Sequence, residues 1–169
     1  MATDVPIDRS ATDAVSLPPG YLALVGLAAT AGVIHFVATV EHIGSDWSLG
    51  LTFALIGAAQ LAAAWRIYRN AADQRLLKLV ALGSLAIALL WVFSRTTGIA
   101  FGPESGRAKV GVGDTIATLL EIAFAAVVGL LLWRGERPVA WMSGPIGIRL
   151  VSAVLSLSLM MAALGGHEH

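Results

Sequence analysis

Four side chains of metal-binding type occur inside otherwise apolar stretches of the sequence. They form two pairs with the same seven-residue spacing, His35 with His42 and Asp114 with Glu121. Seven residues are close to two helical turns, so on a helix each pair shares a face, with its members about 10 Å apart. Imidazole and carboxylate groups together suit zinc, iron, manganese or copper. The spacing therefore predicts a metal site with a first-row transition metal as the cofactor, in which His35 and Glu121 are the inner ligands and His42 and Asp114 form an outer shell.

Three further polar residues are predicted to bind a ligand at the same place: Gln60, Arg95 and Thr96. In this interpretation Arg95 holds an anionic group or orients a carboxylate ligand. Together with the metal ligands they predict a binding site or a catalytic site, with a substrate that the sequence does not identify.

Each charged member of this set also has a structural interpretation. Asp114 follows Gly113 and is suited to be a helix N-cap. Arg95 is able to extend to the membrane surface or to pair with Asp114. A carboxylate inside a helix that crosses lipid must be paired, protonated or bound, and a structural pair of Glu121 with His35 or Arg95 meets that need. The functional and structural interpretations both remain open at this stage.

Several chemistries are excluded by missing residues. The chain has no cysteine, which removes disulfides, thiolate nucleophiles and iron–sulfur clusters. No helix carries the His-Glu-x-x-His motif of zinc proteases. His35 and His42 are too far apart to bind one metal together or to be the two axial ligands of one haem. The net charge is zero, so no electrostatic argument favours a nucleic acid as partner.

The elements that position these residues are predicted to be membrane-spanning helices. Hydrophobic residues make up 57% of the 169 residues and charged residues only 13%, whereas about 25% is usual for soluble domains. No segment shows the alternation of a strand, and a helical span needs about 20 apolar residues. The predicted fold class is an all-α integral membrane bundle of about five transmembrane helices. The spans are 21–41, 48–68, 76–94, 113–133 and 145–164.

These spans are predicted to form a single transmembrane domain over 20–164. A disordered cytoplasmic tail, 1–19, precedes it, and a short polar tail, 165–169, follows it. All seven tryptophan and tyrosine residues lie at or near a span end, as is typical of the membrane interface. Eight Lys and Arg residues fall on the side of the N-terminus and three on the other side. The positive-inside rule then predicts a cell-membrane protein with its N-terminus in the cytoplasm and its C-terminus outside.

The two seven-residue pairs match in depth in this arrangement. The first helix ends on the outer side near His42, and the fourth begins on the same side near Asp114. His35 and Glu121 then both lie about 10 Å deeper. The sequence therefore predicts a polar pocket that opens outward between helices one, three and four.

Contact partners of the bundle are predicted from small residues at four-residue spacing. The pairs are Ala28 with Gly32, Ala125 with Gly129, and Ser152 with Ser156. In lipid such pairs let helices approach closely, either within the bundle or between copies of the chain in a homo-oligomer or larger membrane complex. The lipid bilayer itself is the other predicted partner.

Three segments of this chain carry a resemblance to known sequences. They are His35 with Glu41-His42, the run from Trp91 to Gly98 with Gly102-Pro103, and the run Val110-Gly-Val-Gly-Asp114 with Glu121. In these segments, which lie within residues 30–130, the chain resembles a group of small multi-span membrane proteins of actinobacteria and some archaea. The resemblance implies the membrane topology, and it carries no settled activity.

Three functions are consistent with these observations. The first is a membrane-embedded site for a metal ion or small ligand, with or without catalysis. The second is an accessory or assembly subunit of a membrane complex, in which the polar cluster is only structural. The third is a small transporter or proton relay, since chains of Asp, Glu and His carry protons in membranes.

Overall fold

Four long helices make up the regular structure of the described residues in this computed structural model. The structure describes residues 17, 19–70, 73–98 and 110–134 together with residues 152 and 156. The helices are α1 (Pro19–His42), α2 (Trp47–Arg69), α3 (Gln74–Thr96) and α4 (Val112–Arg134). Each is long and apolar enough to cross a membrane. The chain is therefore a multi-pass membrane protein, and four of the five predicted spans are confirmed within two residues at each end.

The fifth predicted span, 145–164, lies outside the described residues except for Ser152 and Ser156, which are helical. The predicted tails, 1–19 and 165–169, also lie outside them apart from Leu17 and Pro19. The described part of the chain contains four long apolar helices, so the predicted number of about five is not fully matched there.

The turn between α1 and α2 is fixed by an aspartate cap. Asp46 Oδ1 accepts hydrogen bonds from the Ser48 hydroxyl at 2.7 Å and from the backbone amides of Ser48 and Leu49 at 3.0 and 3.2 Å. These bonds satisfy amides that a helix start otherwise leaves unpaired. The bond from the Ser48 hydroxyl, followed by that from the Leu49 amide, lowers the pKa of Asp46. Asp73 caps α3 in the same way.

Helix α3 ends at a glycine because the backbone there turns left-handed. Gly98 has a φ of 83°, a conformation that residues with a Cβ atom rarely adopt. The amides of Thr97 and Gly98 both donate to the carbonyl of Phe93, at 3.0 and 3.2 Å. This arrangement closes the last turn of α3 beside the start of α4.

The helices pack in the spatial order α2, α1, α4, α3. Helix α1 packs against α2 and α4, and α4 packs against α3, whereas α2 and α3 contact each other least among the four neighbouring pairs. Helices α1 and α2 approach each other closely at two glycines, where the Cβ of an alanine at Gly57 would lie 2.9 Å from the Gly32 carbonyl oxygen. The close helix packing predicted at Gly32 therefore occurs between two helices of the bundle. Gly129, by contrast, has no described neighbour within 4 Å of the position that a Cβ would take.

Large apolar side chains cover the outside of the bundle, especially on α2 and α3. Leu55, Leu82 and Leu89 are each more than 60% exposed. Soluble monomers rarely present an apolar surface of this extent, whereas a bilayer covers it. The buried core is formed mainly by α1 and α4, whose spans are the most enclosed of the four.

Candidate functional site

A cavity of about 170 Å³ lies between the four helices at the end of the bundle where α1 stops at His42. We call it the histidine cavity. Its polar lining residues are His35 and His42 from α1, Thr52 from α2, Ser94 and Arg95 from α3, and Asp114 and Thr118 from α4. Its apolar lining includes Phe53, Ile56, Ile87 and Leu90. For comparison, an engineered apolar protein cavity of ~150 Å³ binds benzene.

The two histidines have the same local geometry because they occupy equivalent positions two turns apart on α1. Nδ1 of His35 lies 2.8 Å from the carbonyl oxygen of Ala31, and Nδ1 of His42 lies 2.9 Å from that of Ala38. A carbonyl only accepts hydrogen bonds, so Nδ1 is the donor in both rings. In the neutral imidazole this leaves Nε2 as the acceptor. Neither Nε2 has a hydrogen-bond partner among the described residues.

Phe53 of α2 packs between the two imidazole rings. Its ring centroid lies 5.9 Å from that of His35 and 5.2 Å from that of His42, with tilted and edge-on geometries. Aromatic pairs at such distances are favourable beyond their buried area. Phe53 therefore holds both histidines in place from the opposite helix.

Arg95 and Asp114 form an ion pair on the opposite wall of the cavity. Nη2 of Arg95 donates to Oδ2 of Asp114, and Nη1 donates to the hydroxyl of Ser94 at 2.6 Å. The guanidinium carbon lies 5.1 Å from the centroid of the Trp91 ring, within the range of a cation–π contact. Asp114 lies in the first turn of α4, which begins at Val112, and its carboxylate is used by Arg95.

Two N–H groups on this wall have no partner. Nε of Arg95 and Nε1 of Trp91 are buried and make no hydrogen bond within the described part of the chain. Buried N–H groups without a partner are uncommon in proteins and call for an explanation, because each costs free energy when it leaves water. Water can reach almost none of the surface of these two atoms, so they are enclosed by the side chains around the cavity and do not open to it. The hydrogen-bonding atoms left unused on the cavity wall are therefore the histidine Nε2 atoms.

A second polar group lies deeper in the bundle, behind the histidine cavity. Glu121 of α4 is only 1% exposed and accepts a hydrogen bond from Nε2 of Gln60 in α2. Its other polar neighbours are Ser84 of α3 and His35 of α1. Oε1 of Gln60 is buried without a partner among the described residues. This contact joins all four helices at mid-membrane level.

The structure thus brings together some of the predicted site residues and separates others. His35, His42, Arg95 and Asp114 line one cavity, but α2 also forms part of its wall, whereas the sequence predicts a pocket between helices one, three and four alone. Glu121 does not line it. Thr96 is exposed, and its hydroxyl donates at 2.8 Å to the carbonyl of Val92 in its own helix.

The predicted metal site is not supported by this arrangement. No group of three or more His, Asp or Glu residues within the described ranges is placed to hold a metal ion. The physical reason is that both carboxylates have other partners: Asp114 is paired with Arg95, and Glu121 with Gln60. A cation beside a carboxylate opposes the binding of a second cation.

Three residues of the site were not identified from the sequence. The sequence indicates no role in the site for Trp91, which is typical of an interface aromatic. Its position one turn before Arg95 nevertheless places both residues on the same helix face. Ser84 is a lone hydroxyl in the middle of an apolar span, and this feature of the sequence indicates a polar contact inside the bundle. Phe53 has no distinguishing feature in the sequence, because only the packing of α2 on α1 places it between the histidines.

A second cavity, of about 430 Å³, lies between α2 and α3 on the side toward Arg69. We call it the α2–α3 groove. Its wall is largely apolar, with Gln60, Ser84 and Arg66 as its polar residues. Ile56 and Ile87 line both the groove and the histidine cavity. The two cavities therefore adjoin each other along the seam where α2 and α3 are least in contact.

Comparison with known proteins assigns neither a family nor a function to the chain. No protein-family model, no curated protein and no solved structure matches the chain. The resemblance to small multi-span proteins of actinobacteria and archaea therefore stays a prediction. Any function proposed for the chain rests on the geometry and chemistry of its own residues.

Proposed function

We propose that this membrane protein binds a small organic ligand in the histidine cavity. The observation that carries the proposal is a pair of unused imidazole acceptors in a largely apolar cavity: His35 and His42 both line it, and neither Nε2 has a hydrogen-bond partner among the described residues. A mostly apolar cavity with a few convergent polar groups is the usual form of a small-molecule site.

A small ligand suits this cavity better than a metal ion. Its charged groups already neutralise each other in the Arg95–Asp114 pair, so the wall has no excess negative charge to attract a cation. The unused imidazole acceptors of His35 and His42 favour a ligand with a hydrogen-bond donor, such as a hydroxyl.

The deeper Glu121–Gln60 contact supports a structural role for that part of the cluster. Glu121 is enclosed by groups from α1, α2 and α3, which is the arrangement expected of a bond that holds a bundle together. The accessory-subunit hypothesis thus explains Glu121, whereas the unused atoms of the histidine cavity favour binding. Transport ranks below both, because the α2–α3 groove offers few polar side chains to continue a path.

Native mass spectrometry of the protein released from its own membranes tests this proposal. We expect an organic adduct of defined mass on the wild type. Thr52→Phe should remove it, because Thr52 lines the cavity and its hydroxyl bonds only to Ser48 of its own helix. Thr97→Phe is the matched control: Thr97 is equally exposed and bonded four residues back, and it does not line the cavity.

Two results would overturn the proposal. One is a wild-type protein that carries no adduct in any membrane from which it is released. The other is an adduct that survives Thr52→Phe unchanged. Elemental analysis of the same samples distinguishes an organic ligand from a bound metal ion. A stoichiometric first-row metal would show that the carboxylates exchange their present partners for an ion.

A further inference from the structure

The carboxylate of Glu121 lies inside the bundle without a cationic side chain beside it. Glu121 is 1% exposed, in a helix of membrane-spanning length. Within the described ranges the one ion pair is Arg95 with Asp114, and no nitrogen of a described histidine, lysine or arginine lies within 4 Å of the Glu121 carboxylate. Its hydrogen-bonding neighbours are Nε2 of Gln60 and the hydroxyl of Ser84. These two donors suit the ionised carboxylate, which only accepts hydrogen bonds.

An acceptor next to Glu121 also lacks a partner. Oε1 of Gln60 makes no hydrogen bond with the described residues, and the side chain of Gln60 is only 7% exposed. This oxygen belongs to the amide whose Nε2 contacts Glu121, and the two polar atoms of one amide are about 2.3 Å apart. Because it is closed to water, no water molecule satisfies it. A carboxylate without a counter-charge and a carbonyl without a donor thus lie side by side, which is uncommon in proteins.

A small monovalent cation would satisfy both groups at once. Carboxylate, carbonyl and hydroxyl oxygens are the ligands of hard cations, and Glu121, Gln60 and Ser84 supply one group of each kind. One carboxylate balances one positive charge, whereas a divalent ion would leave a net charge inside the lipid. Na⁺ is close in size to Ca²⁺, whose oxygen ligands lie at about 2.3–2.6 Å, closer than the ~2.8 Å of a water molecule. It therefore fits a place that excludes water, whereas K⁺ is larger.

We propose that Glu121, Gln60 and Ser84 form a site for one Na⁺ ion, which neutralises the buried carboxylate and joins α2, α3 and α4. Oε1 of Gln60 turns toward the ion by rotation about the last side-chain torsion, which is broad for glutamine. None of the three residues lines the histidine cavity, so this inference is independent of the proposed function. The site also differs from the transition-metal site predicted from the sequence, because it uses one carboxylate and no histidine.

Thermal unfolding of the full-length protein in detergent, followed by circular dichroism, tests this inference. The protein is prepared without sodium, and NaCl then replaces KCl or choline chloride at constant ionic strength and neutral pH. Glu121→Gln removes the charge and keeps the size of the side chain, whereas Ser84→Ala removes one oxygen and keeps the carboxylate. Glu41→Gln is the matched control, because Glu41 is an exposed carboxylate near the end of α1. Equilibrium binding of radioactive Na⁺ to the same samples is the second measurement.

We expect Na⁺ to raise the midpoint of unfolding of the wild type by about 3 °C or more, because an ion that binds only the folded state stabilises it by mass action. KCl and choline chloride should have no such effect, and radioactive Na⁺ should saturate at one ion per chain. Glu121→Gln should abolish the response to Na⁺. Ser84→Ala should weaken the apparent Na⁺ affinity by about tenfold, since it removes one ligand. Glu41→Gln should respond as the wild type does.

Three results would overturn this inference. The first is a wild type with equal midpoints in Na⁺ and K⁺ and no saturable binding of radioactive Na⁺. The second is a midpoint that changes with pH but not with Na⁺, which would show that a proton neutralises Glu121. The third is a Na⁺ response that survives Glu121→Gln or is lost in Glu41→Gln, because the ion would then bind elsewhere. If Glu121→Gln does not fold, the wild-type comparison of Na⁺ with K⁺ and the Na⁺ affinity of Ser84→Ala still decide the inference.

Discussion

Arg95 at the end of α3 donates to the carboxylate of Asp114 at the start of α4, although the two lie 19 residues apart in the sequence. The pair closes the end of the α3–α4 hairpin and forms one wall of the histidine cavity. It also decides the chemistry of that wall, because it consumes the carboxylate that a metal would need and leaves one N–H of the guanidinium unused.

The Arg95–Asp114 pair should be measurable in a double-mutant cycle. Arg95→Gln and Asp114→Asn each leave one charge unpaired. The double variant should therefore lose less free energy of unfolding than the sum of the losses in the two single variants. The side chains are 18% and 34% exposed, which places the coupling free energy between that of surface and buried pairs, at roughly 1–2 kcal/mol. Unfolding by denaturing detergent measures it. Additive losses of free energy of unfolding would contradict a stabilising Arg95–Asp114 pair. Lys78→Gln, which removes an exposed charge, serves as the control.

Glu121 should matter for stability mainly through Gln60. Glu121→Leu leaves Nε2 of Gln60 buried without its acceptor, at a cost of ~1–3 kcal/mol. The double variant Glu121→Leu with Gln60→Leu removes both polar groups and should recover much of that loss. The free energy of unfolding in detergent is the measurement. If the double variant is as destabilised as the sum of the single ones, Glu121 has a role that Gln60 does not share.

The glycine crossing of α1 and α2 should be intolerant of even a methyl group. In Gly57→Ala the new Cβ would lie 2.9 Å from the Gly32 carbonyl oxygen and 3.0 Å from the Phe36 ring. We expect a loss of ~1–3 kcal/mol from this overpacking. Gly83→Ala and Gly129→Ala are matched controls in open space, and they should be neutral or stabilising by up to ~1 kcal/mol because alanine favours the helix. Equal thermal stability of all three variants would contradict the close approach.

The orientation inferred from charge is testable with single cysteines, because the chain has none of its own. Ser45 in the α1–α2 turn and Asn70 after α2 are both exposed, at opposite ends of the bundle. We expect Ser45→Cys to react with a membrane-impermeant maleimide in intact cells, and Asn70→Cys to react only after permeabilisation. The reasoning is that Arg66, Arg69 and neighbouring basic residues lie at the Asn70 end. The reverse labelling pattern would refute an N-terminus in the cytoplasm.

The spans could be predicted from the sequence because the bilayer imposes a local rule. About 20 apolar residues suffice to define a helix that crosses lipid, whatever its neighbours are. The gathering of His42, Arg95 and Asp114 could also be predicted, since residues at equal depth on neighbouring helices are brought together by the membrane itself.

The partners of the polar groups could not be predicted in the same way. Depth alone allows Glu121 to meet His35, Arg95 or Gln60, and only the rotation of each helix about its axis selects Gln60 as the donor. The same is true of Phe53, whose position between the histidines depends on how closely α1 and α2 approach at Gly32 and Gly57.

The sequence by itself determined that this protein is helical, that it lies in a membrane, and that polar residues collect at one end of the bundle. These properties follow from hydrophobicity and helical periodicity, which act along the chain. Only the tertiary structure decided that the carboxylates are occupied by Arg95 and Gln60, that Trp91 and Arg95 keep unused N–H groups, and that α2 and α3 leave a groove between them. These depend on helix rotation and spacing, which are set by side-chain packing between segments distant in sequence.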